Sequence, residues 1–352
     1  NRGRSVIFVR VRIIWFCVRS KIAAAVKRKF ITMEKKKLPR ITILGKRIIL
    51  SLLAFMLIWP LTVGVYTLVY KGYTLIDRTT FPSLDTKLKE TLDQTPPDAP
   101  EAEKGVALSM ALRNRLNQEM TSTFGWSVND LLISPTRWLD NRANRQKGTI
   151  FALRMLLGFS ATHLSKLGAV DAENPLLKEA REKRFAFSED SWWFPSTESE
   201  YRKGIALMQQ YEAALLTNNA VFNMRSDDRY DLLSFITGKQ FLDQPLGLLV
   251  QSNSEVPYSD LDDRIYYTQG VVLVLRDVLT ALFHLYPEIS EKGGAENIRI
   301  AMRGIDRICD FDPLIVLRGD HDSVMADHRG KMARYLIEVR ERLNDVAQSI
   351  NR

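Results

Sequence analysis

Cysteine and histidine are scarce in this chain, and several catalytic sequence motifs are missing. The 352 residues include two cysteines and four histidines. This excludes a disulfide-stapled scaffold and a cysteine-rich zinc site. The sequence contains no G-x-S-x-G, P-loop, G-x-G-x-x-G or H-E-x-x-H motif, so the common hydrolase, nucleotide-binding and metalloprotease signatures are absent.

The net charge of +9 is carried by the N-terminal part of the chain. Residues 1–47 contain 15 Lys/Arg and one acid, whereas residues 71–352 contain 35 Lys/Arg and 40 Asp/Glu. From Met33 onward the positive and negative residues are equal, at 41 each. Because residues 71–352 are mildly acidic, we expect no nucleic-acid partner.

Residues 1–32 allow two interpretations. They hold nine Lys/Arg and no acid, and their apolar groups are interrupted by arginines. One interpretation is a basic amphipathic segment that lies on a membrane surface. The other, which we favour, is upstream sequence outside the translated protein, because the first methionine is Met33 and such segments must be set aside before fold reasoning.

The apolar run of residues 48–70 predicts a transmembrane helix. Its 23 residues carry no charge, and about 20 helical residues span a bilayer core. The run is longer than the apolar h-region of a secretory signal peptide and lacks a small-residue cleavage site. Residues 33–47 carry six Lys/Arg, whereas the 15 residues after the run carry two. The positive-inside rule therefore predicts a cytoplasmic basic tail over residues 33–47.

The remainder is predicted to be a stalk followed by an α-helical domain on the far side of the membrane. Residues 71–100 read as the stalk and a proline-rich linker, because residues 95–100 (TPPDAP) are polyproline-like. Residues 101–352 predict an all-α fold of about eight helices. Helical periodicity covers residues 84–92, 103–120, 149–167, 198–222, 228–237, 243–250, 295–308 and 324–350.

Residues 265–286 form a second long apolar segment. Arg276 and Asp277 lie at its centre, and each charge costs about 2.5–3.5 kcal/mol at the middle of a bilayer. We therefore predict a buried core helix. Cys309, beside Ile308 and Phe311, is predicted to be a small buried apolar residue.

A histidine and aspartate cluster is the best candidate for catalysis or metal binding. It comprises Asp320, His321, Asp322 and His328, whose side chains can bind a divalent cation or transfer protons. The alternative, which we favour, is a helix start capped by Asp322 or Ser323. His328 would then be half-buried on one stripe with Met325 and Met332.

An aromatic group at Trp192, Trp193 and Phe194 also allows two interpretations. It is either an anchor for a ligand or partner or a plug over the core, and the sequence favours the plug. The acid-rich residues 258–263 resemble a calcium loop only in acid density, so helix capping is favoured there. Residues 310–313 predict a turn between helices.

Several segments together resemble an uncharacterised bacterial family known as a domain of unknown function. They are the apolar run, residues 192–195 (WWFP), 310–313 (DFDP) and 330–335 (GKMARY), and the resemblance extends over residues 33–352. It implies a Gram-negative inner-membrane protein with a periplasmic domain. The resemblance carries no catalytic residues.

These observations favour an envelope interaction or scaffold module without a cofactor. Its partners would be the lipid bilayer, through residues 48–70, and an envelope protein. Two alternatives stay open. One is a periplasmic enzyme, metal-dependent in one version, that uses the Asp320–His321–Asp322 and His328 cluster. The other is a binder of lipids or amphiphiles between helices.

Overall fold

The protein is described by a computed structural model that covers residues 43–80, 84–122, 124–131, 134–166, 172–252, 254–313, 315–319 and 324–351. The chain divides into two compact units, Asn1–Thr62 and Val63–Arg352. Every regular element in the described ranges is helical, which confirms the all-α prediction. The α-helices are α1 Ile43–Thr80, α2 Leu84–Asp93, α3 Glu101–Thr121, α4 Asp140–Phe159, α5 Pro175–Glu179, α6 Thr197–Leu216, α7 Ser226–Thr237, α8 Asp243–Val250, α9 Leu261–Leu285, α10 Glu288–Gly293, α11 Ala295–Cys309 and α12 His328–Ile350.

Helix α1 contains the apolar run that the sequence singled out. Its segment Gly45–Val69 is 25 residues long, with none of it buried. At 1.5 Å per residue this is about 37 Å, enough to cross a bilayer core. Pro60 lies inside the helix. The prediction of a long apolar helix is confirmed.

Helix α9 is the central core helix. The segment Tyr258–Leu285 is also long and apolar, but 72% of its apolar window is buried within the protein. The carboxylate of Asp277 is paired with Arg115 of α3 at 2.9 Å. The two central charges that argued against a membrane span are thus accommodated inside a helical core, as predicted.

Helices α4 and α9 run side by side in the same direction and approach closely at two glycines. Asn144 bonds to Asp263 near their N-termini, and Leu156 and Val278 line one crevice farther along. A Cβ atom on Gly148 would lie 1.9 Å from the carbonyl oxygen of Tyr267. One on Gly270 would lie 1.9 Å from the carbonyl oxygen of Arg145. Side chains at these positions are therefore incompatible with the observed helix separation.

The first half of α4 was missed because it buries polar side chains. The sequence predicted a start at Thr149, whereas the helix begins at Asp140. Arg142 and Gln146 are buried and donate to the Glu119 carboxylate at 2.9 and 2.8 Å. Burial raises the pKa of Glu119, but the guanidiniums of Arg142 and Arg145 outweigh it, so that the pKa is lowered overall. Apolar periodicity cannot reveal a buried face of this kind.

The proline-rich stretch is folded rather than extended. The amide of Thr95 donates to Leu92 at 2.9 Å and that of Ala99 to Pro96 at 3.0 Å. The preceding helix α2 buries Leu88 and Leu92 in the main core. The stalk prediction for this part of the chain is therefore wrong. The ten-residue helix docks through two apolar side chains on one face and a hydrogen bond between the Leu92 carbonyl and His284.

Two further helix boundaries differ from the prediction. Helix α6 begins at Thr197, one residue before the predicted start, with Ser196 as its N-cap. It ends at Leu216 rather than Phe222, because Asn218 adopts a left-handed φ of 56°. Helix α12 begins at His328, not Val324, and the Asp327 carboxylate accepts from the Gly330 amide at 3.0 Å. The helix buries one apolar face that runs from Met332 to Ile350. With several short helices, the described part contains eleven after α1 rather than about eight.

We expect Gly270→Ala to destabilise the domain by about 3 kcal/mol, because the added methyl group forces α4 and α9 apart. Gly247→Ala in α8 is the matched control, since a Cβ there meets nothing within 4 Å. The control should hold or slightly raise the melting temperature. Thermal unfolding followed by circular dichroism measures both. Equal melting temperatures for the two variants would contradict the close crossing.

We expect Asp277→Ala to cost about 3–5 kcal/mol, because it leaves the Arg115 guanidinium buried without this carboxylate. The double variant Arg115→Met/Asp277→Leu should recover most of the loss, since it removes both charges. Urea unfolding compares the two variants. A double variant that is less stable than Asp277→Ala would show that the pair itself is a net source of stability.

Candidate functional site

The aromatic loop, residues 191–196, exposes three large side chains. Trp192, Trp193 and Phe194 are 56%, 69% and 89% exposed. The two indole rings meet edge to face with centroids 5.1 Å apart. The interpretation as a plug over the core is therefore wrong. These side chains cover no core, and they are available to a binding partner.

The base of the aromatic loop is held firmly by buried side chains. Asn129 donates to the Ser191 carbonyl at 2.9 Å, and the indole of Trp126 donates to the Glu189 carbonyl at 2.9 Å. On the other side of the loop, the Thr197 hydroxyl donates to the Ser188 carbonyl at 2.8 Å. Trp126 is 2% exposed. The loop thus combines an ordered base with an exposed tip.

Such a combination is typical of a binding anchor. Exposing three aromatic side chains forfeits the burial free energy that a plug would have gained. Clustered exposed aromatics on a folded protein mark interaction sites, and tryptophan is enriched among the residues that dominate binding energy. A loop whose base is already held in place also loses less conformational entropy on binding.

A polar groove borders the start of the aromatic loop. Its volume is about 430 Å³, and it is lined by Arg137, Lys147, Arg154, Glu189 and Asp190 together with Val128 and residues 186–188. Arg154 bonds to Glu189 at 2.6 Å and to the Phe187 carbonyl at 2.9 Å. The Arg154 guanidinium therefore serves mainly to shape the groove wall.

Four aspartates gather where the N-termini of α4 and α9 meet: Asp140, Asp260, Asp262 and Asp263. Asn144 donates to Asp263 at 2.6 Å. Burial, and then the charges of the other three aspartates, raise the pKa of Asp263 to about 6. Asp262 and Asp263 lie in the first turn of α9, which supports the helix-start interpretation of residues 258–263 over a calcium loop.

The predicted histidine and aspartate cluster is only partly described. Asp320, His321 and Asp322 lie outside the described residues. His328 is half-buried; its Nδ1 accepts from the Leu317 amide at 3.1 Å, and burial lowers its pKa. Met325 is 61% exposed and precedes the helix, so the predicted stripe through Met325 and His328 is wrong. Within the described residues, no three His, Cys, Asp or Glu side chains converge to hold a metal.

Two further candidates have simple structural roles. Cys309 is buried, as predicted, and burial raises the pKa of its thiol to about 12, which keeps it unreactive. An apolar crevice between α3, α4, α6 and α9 is lined by residues including Leu112, Leu156, Met208 and Val278. Its free volume is about 20 Å³, room for one water molecule rather than a lipid chain.

Comparison with known proteins returns one family. The model of the family described as "Uncharacterized protein conserved in bacteria (DUF2333)" matches residues 55–251. This range contains most of the apolar run of α1 and the whole aromatic loop. No curated protein and no solved structure matches the chain.

We expect Asp263→Asn to stabilise the protein at neutral pH. The folded pKa is about 6, against an ordinary value of 3.8, so the folded state binds the proton more tightly than the unfolded chain. The contribution of Asp263 to stability is therefore greatest below the ordinary value and falls as the pH rises through the window between the two. The gain from the variant above that window should be about 1 kcal/mol, because the half-exposed site is screened by solvent.

Urea unfolding across this pH range measures the difference between wild type and Asp263→Asn. The difference should shrink as the pH falls, because the aspartate becomes neutral by itself. A difference that does not change with pH would contradict the crowding of these carboxylates.

Proposed function

The chain belongs to DUF2333, a family of uncharacterized proteins conserved in bacteria, and we propose that it acts as a membrane-anchored α-helical interaction module. Helix α1 anchors it in the inner membrane of a Gram-negative cell. The basic tail stays in the cytoplasm, and the helical domain lies in the periplasm. There the domain docks an envelope protein through the aromatic loop.

The observation that carries this proposal is the exposed tip of the aromatic loop. Trp192, Trp193 and Phe194 are exposed on a base that buried hydrogen bonds hold in place. In a protein with an extensive buried core, this placement costs burial free energy that a partner would recover. The excess of Lys/Arg before α1 supports the orientation.

We expect the triple variant Trp192→Ala/Trp193→Ala/Phe194→Ala to lose its envelope partner. Full-length tagged protein would be captured from solubilised membranes, and its co-purifying proteins quantified against wild type. Recovery should fall at least about tenfold, because each central aromatic anchor contributes about 2 kcal/mol. The fold should persist, since the three side chains are exposed.

Leu216→Ala is the matched control, because Leu216 is also exposed at 60% but lies at the end of α6 away from the loop. It should recover the same proteins as wild type. Unchanged recovery by the triple variant would overturn the docking role of the aromatic loop.

The orientation is tested by labelling single cysteines with a membrane-impermeant maleimide. Trp193→Cys and Lys36→Cys would be compared in a Cys17→Ser background, where the buried Cys309 stays unreactive. In Gram-negative cells with a permeabilised outer membrane, position 193 should be labelled, whereas position 36 should require lysis of the inner membrane. The reverse pattern would contradict a periplasmic domain.

A further inference from the structure

The exposed large apolar side chains of the helical domain are concentrated at one end. Ten such side chains are described after α1, and of these Leu216 lies away from that end. The other nine lie in, or directly before, the loops that lead into the N-terminal ends of α4, α6, α9 and α12. They are Trp192, Trp193, Phe194, Leu131, Val250, Tyr258, Ile315, Val324 and Met325.

Hydrogen bonds tie these loops to one another. Asn129 joins the loop before α4 to the aromatic loop, and Asn144 joins the start of α4 to the start of α9. Arg318 donates to the Val256 carbonyl at 2.8 Å, which joins the loop before α12 to the loop before α9. We call this set of loops the docking end. Its apolar tips are therefore carried by loops that are fastened to one another at one end of the domain.

The docking end also carries carboxylates without an ion pair among the described residues, beside the aromatic loop and between the starts of α4 and α9. The guanidiniums of Arg264, Arg318 and Arg329 lie together elsewhere on this end, towards α8 and α12. The aspartates at residues 140, 260, 262 and 263 form one group, and Asp130 and Glu198 form a second group beside the aromatic loop. Among the described residues, none of these six carboxylates forms an ion pair with a Lys or Arg nitrogen within 4 Å. Arg137, Arg142 and Lys147 face these groups from α4 and the loop before it, and Arg137 donates to the Val128 carbonyl.

These carboxylates decide between two classes of partner for exposed aromatic tips. A bilayer surface would accept the aromatics, but anionic lipid headgroups would be repelled by the carboxylates. A protein segment with Lys or Arg beside apolar side chains would satisfy both features at once. We propose that the docking end binds a basic, amphipathic segment of a partner protein. This inference rests on the proposed function and specifies its partner.

The test uses the full-length protein in nanodiscs of zwitterionic lipid and a fluorescent amphipathic peptide of about 18 residues built from Lys and Leu. The peptide should bind, and affinity should fall at least about tenfold when NaCl is raised from about 50 to about 500 mM. A Glu and Leu peptide of the same pattern should not bind.

Two variants separate the contributions. The triple aromatic variant should weaken peptide binding at least about tenfold, and Asp262→Asn/Asp263→Asn should weaken it about threefold to tenfold. The control Glu90→Gln/Asp93→Asn changes exposed acids of α2, near the opposite end of α9, where Leu92 bonds to His284. It should bind the peptide like wild type.

Three results would overturn the inference: equal binding of both peptides, no effect of Asp262→Asn/Asp263→Asn, or binding of the aromatic loop to lipid instead. The last would appear as quenching of Trp192 and Trp193 by brominated lipids in the nanodisc, compared with the triple variant. With any of these three results, the proposed function would still hold as long as partner capture requires the aromatic loop. Loss of that requirement would overturn the proposed function itself.

Discussion

The close crossing of α4 and α9 is the constraint on which the rest of the domain depends. Gly148 and Gly270 let each backbone contact the other's carbonyl groups, so no side chain separates the two helices. Because the helices are parallel, both N-termini point the same way. The loops that enter them, and the carboxylates that favour helix N-termini, are therefore brought to one end of the domain.

Buried core residues hold the base of the docking end in place. Trp126 is buried against Tyr201, with ring centroids 5.1 Å apart, and it reaches the backbone of the aromatic loop through its indole N–H. Arg154 binds the adjoining segment from α4. The exposed aromatics are thus attached to buried core residues, and partner binding would begin from a loop whose base is held in place.

The sequence predicted the features that depend on local composition. The uncharged run of α1 is visible because nothing interrupts it, and Arg276 and Asp277 correctly identified α9 as a core helix. Boundaries were lost where distant contacts decide them. The start of α4 depends on Glu119 pairing with Arg142, and the docking of α2 depends on the core that receives Leu88 and Leu92.

The aromatic loop could not be assigned from its residues, because a plug and an anchor have the same composition. What separates them is where Asn129, Trp126 and Thr197 fasten the backbone, and these residues are distant in the sequence or bond to main-chain atoms. The crowding of Asp140 with Asp262 and Asp263 likewise follows from the parallel alignment of two helices. A hydrophobic pattern carries no information about that alignment.

The most direct test of this account is the solvent exposure of its tryptophans. Full-length protein would carry 5-fluorotryptophan, and each ¹⁹F resonance would be assigned by single Trp→Phe variants and compared in H₂O and D₂O. The account predicts a solvent isotope shift for Trp192 and Trp193 and none for the buried Trp126. If Trp192 and Trp193 also showed no shift, the aromatic loop would be packed over a core and unavailable to a partner.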